Sequence, residues 1–333
     1  MKAYNFAVVG ATGMVGGTFL KVLEERRLPI HDIYFMASAR SKGRKIIFGG
    51  MEYAVEELTE NSFNKKIDIA LFSAGGATSK KFAPIAAKSG TVVIDNSSTW
   101  RMEQEVPLVV PEVNPMDVRL HKGIIANPNC STIQAVVSLK PLHDAFRIKR
   151  IVYSTYQSVS GAGMGGVRDL ENGLRGLPPE KFPHQIAGNC IPHIDVFLEN
   201  GDSKEEWKMI QETRKILHEP DLRISATTVR VPVFNSHSES INVEFESEFD
   251  IGEAREILSK AAGITVRDDP GNAVYPLALD ADGKDDVFVG RIRRDESVKS
   301  GLNMWVVSDN LRKGAATNAV QIAQELIKWW NEE

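Results

Sequence analysis

Only two cysteines occur in 333 residues, which excludes a disulfide framework and points to a reducing, cytoplasmic setting. No apolar run approaches the roughly 18 residues of a membrane span, so no membrane partner is expected. Charge of neither sign prevails, because 40 Lys and Arg stand against 44 Asp and Glu for a net −4. With both signs dispersed there is no electrostatic footprint for nucleic acid, and small molecules are the expected partners. Metal spacing is lacking as well. Cys190-Ile191-Pro192-His193-Ile194-Asp195 gathers suitable ligand types, yet no second ligand pair stands at zinc spacing, so no metal is expected. The stretch from Met1 to Val9 ends a short apolar run in glycines and reads as a first strand, not a signal peptide.

What is present is organised around Cys130. The residues Gly123-Ile124-Ile125-Ala126 read as the end of a short strand, Asn127-Pro128-Asn129 as a turn, and Ser131 to Leu142 as a helix with an apolar face at Ile133, Val136, Val137 and Leu139. The thiol therefore falls at or beside a helix N-terminus, where unpaired N–H groups and the helix dipole favour a thiolate and can stabilise an oxyanion. A free cysteine is by default a small buried residue. The polar turn in front of this one favours chemistry.

Tyr4 to Val9 reads as a strand, Gly10-Ala11-Thr12-Gly13-Met14-Val15-Gly16-Gly17 as a glycine turn, and Phe19, Leu20, Val22 and Leu23 as the apolar face of a helix. Strand, glycine turn and helix in that order make a dinucleotide-binding βαβ unit, with the pyrophosphate on the helix N-terminus. The spacing G-x-x-G-x-x-G is a variant of the usual fingerprint, and its context carries the assignment. A second strand, Ile33 to Ala37, ends without the acidic residue that would hold the ribose hydroxyls of NAD. Ser38-Ala39-Arg40-Ser41-Lys42-Gly43-Arg44-Lys45 follows instead, four bases and two hydroxyls suited to a ribose 2′-phosphate, so NADP is the expected cofactor.

Further buried-type strands at Ile67 to Ser73 and Thr91 to Asp95, separated by a helix over Ser79 to Ser89, predict a doubly wound, mostly parallel α/β sheet. Gly75 to Ser79 and Asn96 to Thr99 fall at its carboxyl edge, and Arg101 just beyond is a candidate anion clamp.

Past Cys130 the pattern changes. Arg150 to Ser160 is a long strand-like run, and Ile241, Val243, Phe245 and Phe249 alternate with Asn242, Glu244, Glu246 and Glu248 as in a half-exposed antiparallel strand. Gly161-Ala162-Gly163-Met164-Gly165-Gly166 matches G-x-G-x-x-G, but the Gly- and Pro-rich Asn172 to Pro183 follows in place of a second βαβ strand, so it is no second nucleotide fold. A helix starts at a Ser203 cap with Glu205 and Lys208 on one face. The last helix, Ala315 to Trp330, must bury a stripe of Ala319, Ile322, Ala323, Leu326, Ile327 and Trp330. The expected organisation is an α/β, Rossmann-type NADP-binding domain over 1–129, completed by 312–333. A second α+β domain over 130–311 is expected to have a largely antiparallel sheet and to hold the substrate end.

Taken together, GATGMVGG at Gly10–Gly17, NPNCST at Asn127–Thr132, QSVSGAG at Gln157–Gly163, NCIPHID at Asn189–Asp195, EEWK at Glu205–Lys208 and RVPVFNSHSE at Arg230–Glu239 resemble the aspartate-β-semialdehyde dehydrogenase family along nearly the whole chain. Cys190 departs from the expected pattern without touching the site. The resemblance implies Cys130 as acyl-forming nucleophile, His237 as acid and base, Gln157, Arg230 and Glu205 at the substrate, and Arg101 with Lys208 at phosphate. It further implies Gly10, Thr12, Gly13, Met14, Val15, Arg40, Ser41, Ser160, Gly161 and Asn310 at NADP, and a homodimer built largely on the second domain. The implied activity is NADPH-dependent conversion of aspartyl phosphate to the semialdehyde, feeding lysine, threonine and methionine synthesis. Two alternatives stay open: another phosphorylating aldehyde dehydrogenase, such as one acting on N-acetylglutamyl phosphate, and a non-catalytic nucleotide-binding paralogue.

Overall fold

The computed structural model describes residues 2–332. The chain separates into two compact units, Met1–Asn129 with Ala315–Glu333, and Cys130–Gly314. The second boundary falls between Gly314 and Ala315, three residues beyond the one read from the sequence and inside the π-helical stretch Arg312–Thr317.

In the first unit, β1 (Tyr4–Val9), α1 (Met14–Arg26), β2 (Ile30–Ala37), the hairpin β3 (Lys45–Phe48) and β4 (Met51–Ala54), β5 (Glu56–Glu57), β6 (Ile69–Phe72), α2 (Gly76–Lys88), β7 (Val92–Asp95) and β8 (Ile124–Ala126) follow in order. Six of these strands form an all-parallel sheet in the order β5-β2-β1-β6-β7-β8. Strands β6, β7 and β8 are buried at every position, which is why they read as continuous apolar runs and not as alternating ones. The helix expected over Ser79 to Ser89 starts earlier, at Gly76, directly after Gly75 turns the chain at φ +83°.

The second unit contains α3 (Cys130–Phe146), β9 (Ile148–Gln157), α4 (Met164–Leu174), α5 (Lys204–Leu217), β10 (Arg223–Arg230), β11 (His237–Phe245), α6 (Ile251–Lys260), β12 (Ile264–Val266), α7 (Ala278–Ala281), β13 (Val287–Asp295) and β14 (Gly301–Ser308). Its sheet runs β10-β9-β11-β14-β13-β12. The three central pairings are antiparallel and the two outer ones parallel, so the sheet is mixed. Strand β9 stops at Gln157, short of the run to Ser160, because residues 159–162 curl into a 3-10 turn. Strand β11 begins at His237 and ends at Phe245. Phe249 lies beyond it, yet packs its ring on Phe146 and Phe245. The Gly- and Pro-rich segment after α4 is pinned by Asp169, whose carboxylate accepts the N–H groups of Glu180, Lys181 and Phe182.

The final helix, α8 (Asn318–Glu332), returns to the first unit, where Ala319, Ile322, Ala323, Leu326 and Ile327 join the core of β1, β2, β6 and α1. Each of its buried Leu and Ile side chains contributes about 1.5–3 kcal/mol. Trp330 stays half-buried and packs its ring at a tilt against Tyr4, with centroids 5.4 Å apart. Among the described residues, no helix is long and apolar enough to cross a membrane, and no cluster of three His, Cys, Asp or Glu could hold a metal ion.

Candidate functional site

In the first unit the glycine turn between β1 and α1 has a steric cause. Gly10 adopts φ +88°, and a Cβ there would stand 2.3 Å from the Ser73 carbonyl oxygen. A Cβ on Gly16 would stand 2.2 Å from Gly10 O. Gly16 is therefore the tightest glycine of the turn, although it is not among the residues that the resemblance implies at NADP. Gly13 is looser; its N–H donates to Gly10 O at 3.0 Å, and it leads into α1, whose first turn carries no acid. The N–H groups of Met14 and Val15 open that helix, which is the geometry an anionic pyrophosphate needs. Thr12 Oγ1 lies 3.2 Å from Ser41 Oγ, so the glycine turn and the short 3-10 turn Ala39–Ser41 after β2 meet at two hydroxyls. Lys42 and Lys45 are paired with Glu57 and Glu52. Arg40 is exposed and makes no ion pair among the described residues. These features fit a dinucleotide.

Arg101 is buried in the same unit, where Nε donates to Asn127 O at 2.9 Å and Nη2 to Asn96 O at 3.1 Å. Asn127 in turn donates to Asn96 Oδ1 and Ala315 O and accepts from Asn318 Nδ2. The turn that precedes Cys130 is thereby fixed from three sides.

The second unit gathers its candidate residues at one edge of the sheet. Parallel pairing sets Arg230, the last residue of β10, opposite Gln157, the last of β9. Antiparallel pairing brings the first residue of β11, His237, to the same edge and opposite Ser308, the last of β14. Helix α3 packs on this sheet and begins at Cys130 itself, so the positive end of its dipole lies at the sulfur. Cys130 Sγ is 3.1 Å from His237 Nε2.

His237 is wholly buried, and burial, followed by the Arg230 charge, holds its pKa well below the usual histidine value. The imidazole is therefore neutral at pH 7. Ser158 N–H donates to Nδ1 at 3.0 Å, so Nδ1 keeps its lone pair and the ring proton sits on Nε2, facing the thiol. Gly161 lies against His237 and Arg230. A Cβ there would stand 2.8 Å from Arg230 Nη1 and 3.1 Å from His237 Cε1, so only glycine leaves the guanidinium and the imidazole in place.

Arg230 is buried and donates from Nη1 to Ser158 O at 2.7 Å. Burial lowers its pKa, while Glu205 and Cys130 act in the opposite direction. Glu205 is also buried, accepting from Gln157 Nε2 at 3.2 Å through Oε1 and pairing with Lys208 at 3.2 Å through Oε2. Lys208 lies closer still to Asp195, at 2.7 Å, and Asp195's carboxyl is held below its ordinary range by that contact even though burial opposes it. The ammonium thus sits between two carboxylates. Of the proposed phosphate contacts, Arg101 belongs to the first unit and Lys208 to the second.

A second row of groups backs this edge; Ser160 and Asn310 were named through the resemblance, whereas Glu239 and Gln134 were passed over. Ser160 and Asn310 join Ser158 in a buried network, with Ser158 Oγ donating to Asn310 Oδ1 at 3.0 Å and Asn310 Nδ2 to Ser160 Oγ at 3.0 Å. Glu239 lies two residues beyond His237 on the same face of β11, fully buried, and its pKa is pushed well above the carboxylate range, first by burial and also by Glu205. Gln134, one turn along α3 from Cys130, lies beside that carboxyl and draws the pKa partly back, without a hydrogen bond of ordinary distance and angle. The available signal was period-two register: Glu239 shares its face with Ile241, Val243 and Phe245.

A parallel nucleotide-type sheet together with a unit that sets a half-buried thiol against a buried imidazole fits a nicotinamide-linked oxidoreductase. Family models agree: semialdehyde dehydrogenase, NAD binding domain, over residues 5–121, and semialdehyde dehydrogenase, dimerisation domain, over 139–313. The chain is 60% identical to the aspartate-semialdehyde dehydrogenase of Aquifex aeolicus, over 98% of each chain. It superposes on aspartate semialdehyde dehydrogenase II of Vibrio cholerae, complexed with ASA, with a TM-score of 0.95 at 48% identity, covering 98% of this chain and 99% of that one. The aspartate semialdehyde dehydrogenase of Candida albicans with NADP matches at TM-score 0.78 and 26% identity, over 98% of both chains. The chain belongs to the aspartate-semialdehyde dehydrogenase family.

Proposed function

We propose that the protein converts L-aspartyl 4-phosphate to L-aspartate 4-semialdehyde with NADPH, through a thioester on Cys130. The observation that carries this reading is the 3.1 Å contact between Cys130 Sγ and the protonated Nε2 of a neutral, buried His237. The Cys130 thiolate attacks the acyl phosphate carbon, the new C–S bond forms as the C–O bond to phosphate breaks, and inorganic phosphate leaves. Arg101 and Lys208 are the proposed phosphate contacts. NADPH supplies a hydride to the thioester carbon when bound. The carbonyl reforms as the C–S bond breaks, the aldehyde departs, and the sulfur returns as the thiolate that began the cycle, held by a hydrogen bond donated from His237 Nε2–H.

Arg230, buried and already tied to Ser158 O, can present its remaining N–H groups to the α-carboxylate, and Glu205 with Gln157 to the α-amino group. The cofactor assignments are Gly10, Thr12, Gly13, Met14, Val15, Arg40 and Ser41 on the first unit, and Ser160, Gly161 and Asn310 on the second. NADP in the Candida relative and the absence of an acid at the end of β2 support NADP over NAD. The dimerisation-domain match and the half-exposed Tyr156 and Trp305, whose tilted rings meet at 5.3 Å, support a homodimer formed through the second unit. In a cytoplasmic setting the product would supply lysine, threonine and methionine synthesis. Purified protein mixed with aspartate semialdehyde, phosphate and NADP should produce NADPH absorbance, and should not do so when phosphate is left out. A full rate without phosphate or arsenate would overturn the phosphorylating reaction.

A further inference from the structure

Ser236, the residue immediately before His237, holds φ +69°, a left-handed backbone that a serine does not choose by itself. Its hydroxyl contributes nothing to holding it there, since Ser236 Oγ is buried without a hydrogen bond. What does hold it is Asn310: the Ser236 N–H donates to Asn310 Oδ1 at 2.9 Å. The same oxygen accepts Ser158 Oγ at 3.0 Å, and Ser158 sets the imidazole from its other side, through its N–H at 3.0 Å from Nδ1. Topology explains the meeting. Ser308, the last residue of β14, pairs with His237, so the chain leaving β14 carries Asn310 past the start of β11. The amide is buried, and its Nδ2 is occupied by Ser160 Oγ at 3.0 Å. One side chain therefore fixes both the backbone that aims the imidazole and the serine that selects its tautomer.

We propose that Asn310 is a positioning residue for His237, holding the ring with Nε2–H on Cys130 by bracing the left-handed Ser236 and by orienting Ser158. The proposal rests on Cys130 and His237 being the reacting pair, and it is separate from the contact with NADP assigned to Asn310 above.

The test compares wild type, Asn310→Ala, Asn310→Ala with Ser236→Gly, Asn310→Asp and His237→Ala. Three quantities are read: kcat at saturating NADP, the NADP Kd by fluorescence titration, and the 15N imidazole spectrum without cofactor, in which His237→Ala assigns the His237 signal. Asn310→Ala should lower kcat about 10- to 100-fold, the scale of a small misplacement of a reacting group, and should replace the single Nε2–H tautomer by a mixture. Glycine at position 236 adopts positive φ freely, so the double variant should recover several-fold of the lost kcat. Asn310→Asp keeps the accepting oxygen and should retain the single tautomer. A lost cofactor contact would appear in Kd alone, so unchanged kcat at saturation with an unchanged tautomer in Asn310→Ala would overturn the proposal. Should Asn310→Ala not fold, a folded double variant no faster than His237→Ala, or a mixed tautomer in Asn310→Asp, would overturn it equally. Full activity in His237→Ala would remove the reacting pair itself, an outcome distinct from either.

Discussion

The glycine turn of the first unit and the sheet edge of the second solve opposite problems. At the glycine turn the backbone is the instrument: Gly10 and Gly16 have no room for a Cβ, while Thr12 and Arg40 stand exposed and Ser41 half-buried around the turn. At the sheet edge side chains are the instrument, and Gln157, Glu205, Arg230, His237 and Glu239 are all buried. Exposed side chains on a fixed backbone can be exchanged at small cost to the fold. Buried polar groups that satisfy one another cannot, because removing one strands its partner.

The largest contrast should come from the thiol. Cys130→Ala is expected to lower kcat by about 10⁴-fold or more, the scale of losing a nucleophile, while NADPH affinity, measured by fluorescence, changes little. Substantial residual turnover would break the separation of binding from chemistry. Next comes Arg230→Lys, which keeps the charge but loses the planar fork and the bond to Ser158 O. A fall of about 10²-fold in kcat/KM for aspartate semialdehyde is expected, within the range for disturbing a buried, hydrogen-bonded charge. A change of less than three-fold would place the carboxylate elsewhere.

On the exposed side, Arg40→Asp should alter the NADPH to NADH ratio of kcat/KM by roughly 10-fold, about 1.4 kcal/mol, with melting temperature unchanged. A wild type that uses both cofactors equally would remove the basis for that prediction.

The contrast also explains what could be read from sequence. The first unit was legible because its signals are local: β1, the glycine turn and α1 are contiguous, and fully buried strands announce themselves as apolar runs. Cys130 was legible for the same reason, as a turn directly before a helix. The sheet edge was not, since Gln157, Arg230, His237 and Asn310 meet only through the pairing of β9, β10, β11 and β14. Gln157, Arg230 and Asn310 could be named beforehand through family resemblance, not through spacing. The strands from Ile264 to Ser308 escaped notice, and β12 has only three residues and β13 breaks register between Gly290 and Arg293. Lys208 is the residue whose surroundings depart most from expectation, because two carboxylates already surround its ammonium.

The smallest expected effect concerns Glu239. Its folded pKa lies well above the ordinary 4.5, so between those values the folded protein holds a proton that the unfolded chain releases. Stability therefore declines as pH rises through that interval. Glu239→Gln mimics the neutral acid and removes the decline, so its melting temperature should exceed that of wild type by a few degrees at neutral pH, with the difference closing toward pH 4. His237 acts with the opposite sign: its folded pKa lies below 6.5, so stability falls as pH drops below 6.5, where the unfolded imidazole gains a proton. Equal melting curves for Glu239→Gln and wild type across pH 4–8 would show that the carboxyl is ionised in place.

The central claim is that the Cys130 sulfur, set against a neutral His237, carries the acyl group. Intact-mass spectrometry after rapid mixing with L-aspartyl phosphate, without NADPH, tests it most directly. An added aspartyl acyl mass that maps to Cys130, vanishes on adding NADPH and is absent in Cys130→Ala is the expected result. Unmodified protein that nonetheless turns over when NADPH is supplied would contradict it.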